Sequence, residues 1–189
     1  RSGVFDSKPS GFYLPEETEA TLLSPQTAEI AVCISLLSGH SSLACKPYLI
    51  HPEDTSTRIV GQGRYKRRVT DLLSVHFPAH FLLIGETFSL PGMWSSYPPH
   101  KHDKASLSET KMEEIYFYKL QNQNRFALQC LYSPSHQTDE CFRVFNNDAL
   151  GIPYGYHPVS APPDSSLYYL WILSGPERNL LYAQDPSYV

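Results

Sequence analysis

The chain has 189 residues, 41% of them hydrophobic and 18% charged, and carries a net charge of −4. That balance argues against a nucleic-acid-binding surface, which is normally basic. No apolar run approaches the roughly 20 residues of a membrane helix, and the opening RSGVFDSKPSG lacks the apolar stretch of a signal peptide. What remains is a chain long enough to bury roughly 70% of its unfolded surface, with no nucleic-acid or membrane partner expected. Its 13 Tyr, 9 Phe and 16 Pro favour many short strands joined by turns. Residue 1 is Arg, which suggests a start removed by processing or truncation. Cys33, Cys45, Cys130 and Cys141 form no CxxC pair, and no Asn-x-Ser/Thr acceptor occurs. The expectation is free, mostly buried thiols in a cytoplasmic protein.

In chain order, strands are predicted over Glu29–Leu36 (EIAVCISL), His80–Glu86 (HFLLIGE), Ile115–Leu120 (IYFYKL), Phe126–Tyr132 (FALQCLY) and Leu167–Leu173 (LYYLWIL). Each run is apolar or alternating, rich in β-branched or aromatic residues, and bounded by turn formers. The spacing reads as a sandwich or barrel rather than βαβ units. Short helical turns are expected within Asp71–His76 and at the start of Ser106–Met112. The basic stretch Gly61–Asp71 (GQGRYKRRVTD) reads as a solvated loop or an edge strand protected by its cations. It separates residues 1–74 from residues 75–189 as two β units, and the polar chemistry gathers in the second.

The segment that carries chemistry runs GMWSSYPPHKHD from Gly92 to Asp103, followed by MEEIYFY from Met112 to Tyr118. Two histidines at i and i+2 on a strand project from one face, so His100 and His102 can reach one ion. A carboxylate at the head of the next strand, Glu113 or Glu114, supplies a third ligand. The turn Pro153-Tyr-Gly-Tyr-His157 supplies another imidazole. Three imidazoles and one carboxylate with open positions suit Zn, Mn or Fe as divalent ions. His40, His51, His76, His80 and His136 lack such neighbours and are expected at surface or satisfied interior positions.

HxH, a carboxylate and a later PxGxH, in that order, resemble the metal ligands of the cupin barrel. A narrower likeness covers nearly the whole chain. WSSYPPHKHD, EEIYFYKL, DECFRVFNNDALGIPYGYHPVSAPP and YYLWILSGPER resemble the 5-deoxy-glucuronate isomerase family of bacterial inositol catabolism, as do RSGVFDSKPSGFYLP and LIHPEDTSTRIVGQGRYKRRVTDLL. The resemblance implies an all-β fold of two cupins (double-stranded β-helix, jelly-roll barrels). Residues 1–74 would be the latter part of the N-terminal cupin, and 75–189 the complete, metal-binding C-terminal cupin. By position it makes His100, His102, Glu114 and His157 the metal ligands. Glu114 is preferred over Glu113 because the related 4-deoxy-threo-hexosulose-uronate isomerases share an acid-aromatic strand like Glu114-Ile-Tyr-Phe-Tyr.

The implied reaction interconverts 5-deoxy-D-glucuronate, an aldose acid, with 2-deoxy-5-keto-D-gluconate, by proton transfer or by a hydride shift. The implied partner is a small sugar acid, and a homo-oligomer is compatible with it. The catalytic candidates are Lys101, Tyr156 and Arg143, the last as a bidentate partner for the substrate carboxylate. Asp103 and Tyr97 are further supporting groups, and Arg178 is assigned to the fold or an interface. Two other classes compete: a non-catalytic sugar-binding cupin, and an Fe(II) cupin dioxygenase.

Overall fold

A computed structural model describes residues 1–36 and 45–188; His40 lies outside them. Among the described residues the regular structure is strands and short 3-10 turns, and no helix is long and apolar enough to cross a membrane. The strands are β1 (Gly11–Tyr13), β2 (Tyr48–Ile50), β3 (Ser56–Val60), β4 (Arg67–Leu73), β5 (Leu82–Ser89), β6 (Trp94–Ser95) and β7 (His100–Lys101). They continue as β8 (Glu113–Leu120), β9 (Phe126–Ser133), β10 (Thr138–Phe145), β11 (Ala149–Ile152), β12 (Val159–Ser160), β13 (Leu167–Ser174) and β14 (Ala183–Gln184).

A six-stranded antiparallel sheet runs β11-β8-β13-β5-β4-β3 and faces a four-stranded sheet, β10-β9-β12-β6. Strict alternation makes this possible. On β8 the residues Glu114, Tyr116, Tyr118 and Leu120 are buried while Glu113 and Ile115 are exposed. β9 repeats the pattern, burying Ala127, Gln129 and Leu131. With Val144, Ile152, Val159, Leu167 and Tyr169 these side chains form the core between the two sheets. Each fully buried aliphatic or aromatic side chain contributes about 1.5–3 kcal/mol.

The continuous apolar run of β13 has a different cause. Its inner face joins that core, and its outer face, through Tyr168 and Leu170, packs under Tyr13, Ile50, Leu73, Leu82 and Ile84. A strand covered on both sides loses its polar alternation. The sheet also continues across residue 74, because β4 pairs with β5 from Arg68↔Phe88 to Leu73↔Ile84.

Four expectations are corrected. Residues 29–36 belong to no strand among the described residues, and Ile30, Val32, Ile34 and Leu36 are exposed. Alternation supplies strand propensity, but none of the described strands forms a ladder with it. Cys33 packs on the second core, Lys119 pairs with Glu29 at 2.6 Å, and Ser35 and Ser174 share a 2.6 Å hydrogen bond. The basic stretch contributes β4, an interior strand with partners on both sides; β3 is the edge. Asp71–Leu73 forms a β-bulge, and only after it does the chain turn once, the Phe77 amide donating to the Ser74 carbonyl at 3.2 Å. Residues 106–112 form no helix, since the loop wraps around the carboxylate of Glu109, which accepts from the Asp103 and Lys104 amides at 2.7 and 3.0 Å.

Candidate metal centre

Three buried side chains converge inside the barrel. His102 follows β7, Glu114 sits on β8, and His157 follows the turn before β12. Their ligand atoms all lie within 4.8 Å of one another. Glu114 Oε2 is 3.1 Å from His102 Nε2 and 3.2 Å from His157 Nε2.

Each element is locked by its own backbone. The Met112 amide donates to the His102 carbonyl at 2.8 Å, while His102 Nδ1 lies 3.0 Å from the Met112 carbonyl oxygen. Gly155 has φ +86°, and a Cβ there would lie 2.7 Å from the Tyr132 carbonyl oxygen. Only glycine lets the turn pass that close. The turn then bridges Tyr156 to Tyr132 and delivers His157 inward, with His157 Nδ1 2.9 Å from the Gly155 carbonyl oxygen. Gln129 Nε2 donates to the His157 carbonyl at 2.8 Å, and Tyr118 donates to Gln129 Oε1 at 2.9 Å.

Both rings therefore spend Nδ1–H on a backbone carbonyl and turn Nε2 toward Glu114, the arrangement that fixes a ligating tautomer. His157 Nε2 is fully buried and makes no hydrogen bond, although Glu114 Oε2 lies 3.2 Å away. An orphaned acceptor of this kind costs about 1–3 kcal/mol unless a partner takes its lone pair. A divalent cation fits that lone pair, the facing carboxylate and the second imidazole.

The electrostatics agree. Burial works against the Glu114 charge, but the hydrogen bond to His102 and the fields of His102 and His157 outweigh it and hold the carboxyl at about 2. Burial alone would lower His102, yet the bond to Glu114 raises it above the ordinary histidine value. His100 lies beside the trio rather than within it. Its ring centroid is 4.8 Å from that of His157, 6.3 Å from that of His102 and 4.8 Å from that of Tyr182. Burial, reinforced by His157, drops His100 well below the usual range, so its ring is neutral.

The three catalytic candidates fall elsewhere. Lys101 alternates away from its flanking histidines and donates to Asp103 Oδ1 at 2.6 Å and to Glu109 at 2.7 and 2.9 Å. Tyr156 packs against Tyr132, ring centroids 5.1 Å apart and planes tilted by 31°, and is absent from the trio's cluster. Arg143 is exposed on β10, lying over the rings of Phe126 and Phe145. Alternation next to buried Val144 turns it outward, which corrects the cavity-facing expectation. Tyr97 packs with Tyr65, Trp94 and Tyr188. Arg178 donates to the Ser74, Phe77 and Leu82 carbonyls and so ties the loop before β5 to the chain after β13. His51, His76 and His136 are exposed.

Lys101 nonetheless matters structurally. Asp103 Oδ2 also accepts from the Gly155 amide at 2.9 Å, so one ion cluster joins the His100–His102 segment to the His157 turn. Lys101→Met would strand two largely buried carboxylates, and we expect a loss of about 3 kcal/mol. A fall in the urea midpoint with an unchanged slope would register it; an unchanged midpoint would contradict it.

Comparison with known proteins decides the kinship. The KduI/IolB family model matches residues 1–189. The chain belongs to the KduI/IolB family. The 5-deoxy-glucuronate isomerase of Geobacillus kaustophilus is 37% identical over 190 residues, covering 100% of this chain and 67% of that protein. That of Bacillus subtilis strain 168 is 35% identical over 191 residues, covering 100% of this chain and 69% of that protein. The chain thus spans about two thirds of the length of these family members. Among solved structures, an IolB-like protein from Salmonella typhimurium superposes with a TM-score of 0.75 at 33% identity, covering 77% of this chain and 56% of that one. A cupin-2 domain from Rhodospirillum rubrum, at 13% identity and a TM-score of 0.50, covers 71% of this chain and 78% of that domain. The fold is that of a cupin. Family and fold together place the chain among sugar-acid isomerases, as the expected resemblance implied.

Several supporting groups carried no local signal. Gln129 and Tyr182 reach the centre or its scaffold through tertiary contacts, and Glu109 through the fold of its own loop.

Proposed function

We propose that this chain is a metal-dependent aldose–ketose isomerase that interconverts 5-deoxy-D-glucuronate and 2-deoxy-5-keto-D-gluconate. The observation that carries it is the buried, unpartnered Nε2 of His157, aimed with His102 at Glu114 in a chain of this family. His102, Glu114 and His157 would hold the ion, with His100 alongside as the fourth ligand. A bound divalent ion supplies Lewis acidity toward a carbonyl oxygen and the adjacent hydroxyl.

The protein's own share is positional. Glu114 contributes negative charge, and the Met112 and Gly155 carbonyls hold the two imidazoles with Nε2 inward. Tyr116 shares a 2.9 Å hydrogen bond with Ser96, and burial pushes its phenol well above the ordinary value, so it keeps its proton at neutral pH. In the reaction a hydrogen leaves the hydroxyl-bearing carbon and reaches the aldehyde carbon, so no external oxidant is consumed.

The test is anaerobic incubation of the purified chain with 5-deoxy-D-glucuronate, followed by proton NMR. Ketose formation without oxygen uptake supports isomerisation. Oxygen-dependent turnover would point to a dioxygenase, and metal retention without turnover to a sugar-binding cupin. In deuterated water, deuterium in the product indicates proton transfer and its absence a hydride shift.

Metal uptake has a defined pH dependence. Glu114 keeps His102 protonated above the ordinary value of 6.5, and that proton must leave before Nε2 can ligate. Zinc affinity, read by chelator competition, should fall about tenfold per pH unit below the His102 titration and level off above it. An affinity flat from acid to neutral pH would refute this linkage.

A further inference from the structure

Cys130 on β9 and Cys141 on β10 lie directly opposite each other in the antiparallel register, with sulfurs 3.8 Å apart. The Cys130 amide donates to the Pro158 carbonyl on the β12 side, at 2.9 Å. It therefore points away from β10, and the two cysteines occupy a non-hydrogen-bonded position. There opposing Cα atoms come to about 4.5 Å, within the span a disulfide bridges. Alternation separates the pair from the metal centre, because Gln129 and Leu131 face the core and Cys130 faces out. Both thiols are free, Cys141 exposed and Cys130 half-buried. They line a surface cavity of about 550 Å³ walled by Trp94, Tyr97, Tyr132 and Pro158, with Asp139 at its side.

We propose that Cys130 and Cys141 form a thiol pair that small disulfides oxidise reversibly to a cross-strand disulfide. The cavity admits the oxidant, a low-molecular-weight disulfide RSSR. The Cys141 thiolate attacks one sulfur of RSSR, forming a mixed disulfide and releasing RS⁻. The Cys130 thiolate then attacks Cys141 Sγ and expels the second RS⁻. The protein gives up two protons and two electrons, and RSSR becomes two RSH. The order follows access, since Cys141 is the exposed sulfur. Burial, helped by the neighbouring Cys141, also holds the Cys130 thiol up at about 11, so it is scarcely ionised and does not make the first attack. Cys33 and Cys45 belong to a different neighbourhood, packed against the core under β1 and β2.

The test exposes the folded chain to oxidised glutathione and reads intact mass and peptide maps. The native protein should lose two hydrogens, mapped to a Cys130–Cys141 link, retain no glutathionyl group, and recover its mass with excess reduced glutathione. Cys130→Ser should instead trap one glutathionyl group on Cys141. Cys141→Ser should react at Cys130 at least about tenfold more slowly. A stable adduct on Cys141 of the native protein, a link mapped to Cys33 or Cys45, or no reaction at this pair would each overturn the proposal. The native-protein result stands even if a variant fails to fold.

Discussion

His102→Ala should abolish metal retention and lower isomerisation by roughly a thousandfold or more. The ion's stabilisation of developing charge is worth several kcal/mol, and each 1.4 kcal/mol is about a factor of ten. Removing the ring deletes one of two imidazoles pointing Nε2 at Glu114, along with its Nδ1 contact to the Met112 carbonyl. The backbone bond from the Met112 amide to the His102 carbonyl survives, so the strand should keep its place. A stability loss of about 1–3 kcal/mol is expected from the broken hydrogen bonds. Elemental analysis and activity should therefore collapse together while the protein still melts cooperatively. Retained activity in a verified metal-free variant would contradict the assignment.

Glu114→Gln should weaken divalent-metal affinity by at least about a hundredfold, while Glu113→Gln should leave it unchanged. The amide is nearly isosteric but removes the negative charge that His102 and His157 stabilise at about 2. Loss of an outer partner typically costs 10–100-fold in metal affinity; loss of a direct carboxylate ligand should exceed that. Glu113 is exposed on the other face of β8 and serves as the matched control. Chelator-competition titrations of the two variants decide the matter. Equal affinities would remove Glu114 from the ligand set.

Where a strand has one dry face, its pattern was readable in advance. β8 and β9 alternate because one side meets the core and the other meets water. The same alternation placed Lys101 opposite to its flanking histidines. It did not separate Glu113 from Glu114, since Ile115 and Phe117 are as apolar as the inward Tyr116 and Tyr118. Only burial distinguishes the two faces. Residues 29–36 alternate equally well yet find no partner among the described strands, because propensity is local and pairing is not. Arg143 was ambiguous for a related reason, since β10 is a sheet edge with apolar residues on its open face. The thiols were expected mostly buried and are half-buried, or in Cys141 exposed. Gln129 and Tyr182 reach the centre from a distance along the chain, where no spacing rule reaches.

The central claim is that one divalent ion, held by His102, Glu114 and His157 with His100 beside them, is required for isomerisation. Activity should be followed while a chelator strips the purified chain, with residual metal measured by elemental analysis, and then while a divalent ion is titrated back. The account predicts that activity tracks metal content and is restored at about one ion per chain. Undiminished isomerisation by protein verified to be metal-free would contradict it.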